Sequence, residues 1–118
     1  MAPPNIKNPT LITGKTAVYK CTTTLSAVLI NAPSSGKVLK VNTIRAANIT
    51  TSGVTVDVSL YRSLNHYYIV DNATASTYSS FVALNKDEYL YLEEGDQIYA
   101  RASSNTSVDL IINYEEIS

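Results

Sequence analysis

The sequence predicts an all-β protein: a single antiparallel β-sandwich, jelly-roll or Ig-like, of eight or nine short strands with an extended N-terminal arm. Three observations carry this. Val54-Thr-Val-Asp-Val-Ser-Leu-Tyr61 alternates apolar and polar residues, which places Val54, Val56, Val58 and Leu60 on one face of a strand. Turn-forming clusters recur about every 8 to 20 residues, the rhythm of an antiparallel sandwich or barrel. No stretch sustains a helical period, whereas parallel strands would need crossover helices. At 118 residues the chain has the size of one domain with one core.

Taken in order, residues 1–15 form the arm and residues 16–118 the sandwich. Pro3, Pro4 and Pro9 cannot donate to a ladder and favour extended backbone. Pro3, Pro4 and Ile6 are therefore candidate contacts to a neighbouring subunit. Strands are predicted over 16–22, 25–30, 37–47, 54–61, 65–71, 77–84, 88–92, 97–103 and 108–114. Thirteen Thr and nine Tyr among many Val and Ile suit such a pleated, half-buried surface. Between the strands lie turn residues, as in Ala32-Pro-Ser-Ser-Gly36, Thr50-Thr-Ser-Gly53 and Ser103-Ser-Asn-Thr-Ser107. Only within 79–85 does a helical turn compete with a strand.

The run from Glu94 to Glu116 reads as a hairpin. Gly95-Asp96 makes a turn, Ile98, Ala100 and Ala102 point inward, a polar loop follows, and Val108, Leu110, Ile112 and Tyr114 point inward again. Its outward face, with Tyr99, Arg101, Asp109 and Ile111, is a candidate contact surface. Tyr67 and Tyr68 are adjacent, so a strand sends them to opposite faces and one of them outward. Tyr89 and Tyr91 share a face, with Leu90 and Leu92 on the other. Tyrosine, an apolar body with a polar tip, serves as structural filler, as a subunit interface or as a sugar platform, and the sequence leaves all three open.

Charge and composition exclude several classes of function. Nine Lys plus Arg against ten Asp plus Glu leave a net charge of -1 without a basic run, so no nucleic acid is expected. Cys21 is the only cysteine, which rules out an internal disulfide. The N-terminus lacks the continuous apolar core of a signal peptide, and no stretch reaches the length of a membrane-spanning helix. Folding in the cytoplasm, with no membrane partner, is the expectation. Sequons at Asn48, Asn72 and Asn105 are attributed to chance in a chain this rich in Asn, Ser and Thr.

No metal and no cofactor are expected. Cys21 and His66 are too few for a zinc site. His66 would have to be the base of any nucleophilic set, and it is read as a surface histidine at the start of a strand. Glu93-Glu94-Gly95-Asp96 is read as a tight turn, not a calcium site, with Gly95 supplying a positive φ and Asp96 bonding the local backbone. The four glycines are isolated, so there is no phosphate loop. An enzyme is not expected.

Four segments carry a resemblance: Lys40-Val-Asn-Thr-Ile-Arg-Ala-Ala-Asn48, Val54-Thr-Val-Asp-Val-Ser-Leu60, Leu92-Glu-Glu-Gly-Asp-Gln-Ile98 and Val108-Asp-Leu-Ile-Ile-Asn-Tyr-Glu-Glu-Ile117. Over roughly residues 16–117 the chain resembles the small β-sandwich virion structural proteins of tailed bacteriophages. The resemblance implies a non-enzymatic role as a capsid-decorating (cement) protein that binds between major capsid subunits as a homo-oligomer, a trimer in the first instance. It equally fits a neck, collar or tail accessory protein bound to other virion proteins. Either implies localisation in the virion, with assembly in the host cytoplasm, and no catalytic residues. A carbohydrate-binding module for host attachment is the expectation from another class.

Overall fold

A computed structural model describes residues 4–118. Nine strands follow in order: β1 (Ile12–Lys20), β2 (Ser26–Ile30), β3 (Val38–Asn48), β4 (Val54–Arg62), β5 (Asn65–Ala75), β6 (Ser80–Leu84), β7 (Leu90–Leu92), β8 (Gln97–Ala102) and β9 (Val108–Ile117). They form two antiparallel sheets packed as a β-sandwich. One has the order β1-β9-β3-β6, with β7 also on β3, and the other has the order β2-β8-β4-β5. β6 and β7 lie along the same edge of β3, opposite its two halves, Ile44–Ala47 and Leu39–Val41. A single 3-10 turn, Lys86–Glu88, separates them, capped by the Asn85 side chain accepting from the Asp87 amide.

The alternation expected of β4 holds: Val54, Val56 and Val58 are buried. They meet Ile98 and Ala100 of β8 within their own sheet and face Val41, Ile44, Ala46, Leu110 and Ile112 across the core. The Val, Leu and Ile side chains among these stabilise the fold by about 1.5–3 kcal/mol each when fully buried. The molecule's shortest dimension is 19 Å, which suits two sheets about 10 Å apart with their outward side chains.

Two expectations are corrected. The hairpin at 94–116 does not form, because β8 pairs with β2 and β4 while β9 pairs with β1 and β3 in the other sheet. The loop after β8 crosses one end of the core beside the β1–β2 connection: Ala102 N donates to Thr22 O, Cys21 N to Val108 O, and Thr106 N to Cys21 O. The strand content of the arm differs as well. β1 begins at Ile12, where Ile12–Lys15 pair with Ile117–Tyr114, and Thr10 N and Leu11 N both donate to Ser118 O. The unpaired ladder of β9 gives these residues partners that composition alone cannot announce. Of the arm contacts proposed, Pro3 lies outside the described residues, Pro4 is half-buried and Ile6 is exposed. Within 79–85, where a helical turn competed with the predicted strand, Ser80–Leu84 is a strand, and the 3-10 turn lies just beyond it at Lys86–Glu88.

Candidate functional site

The outer surfaces of the two sheets are the candidate sites, and they differ in chemistry. On the β1-β9-β3-β6 sheet the register lines up Val18, Ile111, Arg45 and Val82 across four strands. Val18 is 75% exposed, Val82 49% and Ile111 40%. Arg45 stands exposed among them and makes no ion pair among the described residues. The next row is a hydrogen-bonded ladder, in which Thr16 Oγ1 donates to Asn113 Oδ1 at 3.0 Å and Asn113 Nδ2 donates to Thr43 Oγ1 at 2.8 Å. A shallow cavity of about 280 Å³ lies between Arg45, Val82, Asn85 and Ile111. On the same sheet Asp109 is held by Lys20 at 2.8 Å, and Lys40 lies 4.4 Å from the centre of the Tyr89 ring. Tyr89 meets Tyr91 edge-on at 5.7 Å.

The β2-β8-β4-β5 sheet carries an aromatic and polar face. The register puts Ser59 between Tyr99 and Tyr68, Asp57 beside Arg101, and Tyr61 beside His66. His66 sits 4.7 Å from Tyr61 and 4.9 Å from Tyr99, ring centre to ring centre, and Tyr61 to Tyr99 is 5.1 Å. His66 is therefore half-buried in a cluster, not a plain surface residue. Its Nδ1 and the Ser59 hydroxyl share a 3.0 Å hydrogen bond. Ser59 has no exposed surface, so its oxygen cannot reach a substrate, and the pair fastens the cluster to the sheet. Tyr67 and Tyr68 are both exposed, at 56% and 45%, because β5 is an edge strand.

Asp57 is nearly buried in this face. Asn72 N donates to its Oδ1 at 2.6 Å, and Arg101 Nε donates to its Oδ2. Burial alone would push the carboxyl up; the amide of Asn72 and the guanidinium of Arg101 outweigh it and hold the group below its ordinary value. Arg101 is correspondingly held more firmly in its charged form by Asp57. What sequence reading missed is the burial of the polar side of β4: Asp57 and Ser59 point away from the core yet are covered, by Arg101 and by the aromatic rings. The signal available was the complementary sign and matching alternation of β4 and β8.

The predicted site residues thus divide. Tyr99, Arg101 and Tyr68 are brought together on one sheet, and Asp109 and Ile111 stand on the other, so the single surface expected of 99, 101, 109 and 111 does not exist. In the turn at 93–96, Asp96 N donates to Glu93 O and Glu93 N to Asp96 Oδ2, and Gly95 has φ +90°. Arg62 Nε reaches both Asp96 oxygens at 3.0 Å, Arg62 Nη2 lies 2.9 Å from Glu93, and Glu94 accepts from Gly36 N. The three carboxylates are thus engaged within the chain. Burial, with a smaller contribution from Asp109, pushes the Cys21 thiol up to about 11, so it stays protonated and unreactive. Among the described residues no three His, Cys, Asp or Glu side chains group to hold a metal ion, and no helix is long and apolar enough to cross a membrane. No protein-family model matches the chain, and no curated protein is similar to it.

Proposed function

We propose that the chain is a non-enzymatic virion structural protein, a capsid-decorating protein that binds between major capsid subunits as a symmetric homo-oligomer, a trimer in the first instance. The observation that carries this reading is the row Val18–Ile111–Arg45–Val82. It is an exposed apolar strip around one unpaired cation, rimmed by hydrogen-bonded Thr16, Asn113 and Thr43, the composition of a protein contact surface. The strand order supports it. With β6 and β7 counted as one interrupted strand, we read β1-β9-β3-β6/β7 against β2-β8-β4-β5 as a jelly-roll order, an architecture used by viral capsid proteins and lectins. Of the four segments that resemble phage virion proteins, three fall on the central strands β3, β4 and β9, and the fourth, Leu92 to Ile98, runs from the end of β7 through the turn into the first two residues of β8. Many copies on a closed shell would convert modest individual contacts into large stabilisation.

Cryo-microscopy of the particle, locating and counting the chain, tests the reading. Copies in numbers that follow the shell lattice are expected. A count of about six or twelve at the portal axis would reassign it to the neck, collar or tail, and absence from the particle would overturn the structural role.

A further inference from the structure

The opposite face of the sandwich carries a feature that assembly does not require. A cleft of about 290 Å³ opens beside the tyrosines, lined by Thr23, Thr55, Asp57, Asn72, Arg101 and Ser103. Its floor is built rigidly. A bulge in the β4–β5 pairing sets Asn72 at φ +53° so that its amide meets Asp57, and Asp57 in turn anchors Arg101 through Nε. The guanidinium's terminal nitrogens, the Asn72 side-chain amide and the hydroxyls of Thr23 and Thr55 have no hydrogen-bond partner within the chain among the described residues. These groups supply donors and acceptors together, as ligand hydroxyls, which both donate and accept, require.

Charge and size narrow the ligand. The charged residues that line the cleft are Asp57 and Arg101, which pair with each other, so their charges cancel and leave no net positive charge to draw in a carboxylate, sulfate or phosphate. At about 290 Å³ the cleft lies just under the usual span of small-molecule sites, roughly 300–1,000 Å³, which is room for one sugar ring. Tyr68, 45% exposed, stands one register step from the Asp57–Arg101 pair, next to the lining residues and not one of them, and is the aromatic side chain a ligand extending from the cleft along the sheet would meet.

We infer that this cleft binds a neutral hexose unit of a glycan chain, with its hydroxyls on Arg101 and Asn72 and the chain continuing across Tyr68. Binding is weak for one copy and gains through multivalency on an assembled particle.

The test is a titration of the full ¹⁵N-labelled chain with cellohexaose, maltohexaose and mannohexaose, with 3′-sialyllactose as the anionic comparison. Saturable shifts at the amides of Tyr68, Asn72, Arg101 and Ser103 are expected with at least one neutral oligomer. Tyr68→Ala, at an exposed position, is expected to keep the thermal midpoint while weakening that oligomer about five-fold. Four results would each overturn the inference: no saturable shift with any neutral oligomer, shifts confined to the Val18–Ile111 face, tighter binding of sialyllactose, or unchanged affinity in Tyr68→Ala. The titration needs no particle, so its failure leaves the structural role standing, and failure to find the chain on a shell leaves the cleft standing.

Discussion

Asn48 is nearly buried, and its side-chain nitrogen donates to the carbonyls of Ser52, Ala75 and Ser76 while its oxygen accepts from Thr50 N and Oγ1. One side chain thereby closes two loops, and removing it strands buried backbone groups at about 1–3 kcal/mol apiece. Asn48→Ala is expected to lower stability by about 2 kcal/mol or more in urea unfolding. Asn48→Asp is expected to cost no less, since a carboxylate cannot donate to three carbonyls. Asn31 plays the same part at the other end, donating to Lys37 O and Leu92 O. Asp57 and Arg101 give the electrostatic counterpart. Arg101→Leu leaves a nearly buried carboxylate without its cation. Arg101's side chain is 43% exposed, so solvent screening keeps the cost below that of breaking a fully buried pair. The double variant Asp57→Asn, Arg101→Leu is expected to recover part of that loss, read as a midpoint shift at constant slope. The Asp57 carboxyl has a folded-state pKa below its unfolded value. Its contribution is therefore full above about pH 4 and fades as the pH falls through the folded pKa. In Arg101→Leu, acid unfolding is expected to begin at higher pH than in the parent, and an unshifted acid limb would show that Arg101 is not what depresses the group.

At the scale of elements, alternation in Val54–Leu60, Gln97–Ala102 and Val108–Tyr114 was legible because a strand with one buried face must write its period into the chain. What it could not write is the partner. β8 and β9 have the same inward residues whether they pair with each other or face each other across the core, so a hairpin and a sheet-to-sheet crossing read alike. The connection gave no cue either, since five residues from Ser103 to Ser107 lie within the usual span of hairpin loops; only the fold shows Ser107 fully buried with its hydroxyl donating to Ser104 O. The aromatic face was half legible for the same reason, since Tyr99 and Arg101 announced their side of β8 while their neighbours on β4 and β5 depended on register. Bulges decide that register. In β5 the pairing slips on both sides of Val58, and Asn72 takes the left-handed conformation that a β-branched residue resists by about 1–2 kcal/mol. Asn72→Val is expected to destabilise by that amount, and Asn72→Gly to change stability by less than about 0.5 kcal/mol, since either keeps the amide that serves Asp57. A thermal midpoint for Asn72→Val equal to the parent's would show that the bulge is not held at φ +53°.

For the whole molecule, the sandwich turns two unlike faces to its surroundings, an apolar strip with Arg45 on one sheet and a polar cleft beside the tyrosines on the other. Two sheets packed face to face place these on opposite sides, so one can be covered while the other stays open. The proposals for the two faces can then be separated by mutation. Val18→Lys with Ile111→Thr puts a charge and a hydroxyl into the strip at positions that are exposed and tolerant of strand formers, so a stability change within about 0.5 kcal/mol per site is expected. Association with the shell should nevertheless fall by tenfold or more, about 1.4 kcal/mol, once an apolar contact is replaced by a desolvated ammonium. Sugar titration of the same double variant should be unchanged, whereas Tyr68→Ala should bind the shell as the parent does. If the strip variant still decorates particles at parental stoichiometry, the docking face is elsewhere, and the β5 edge with exposed Tyr67 becomes the surface to mutate next.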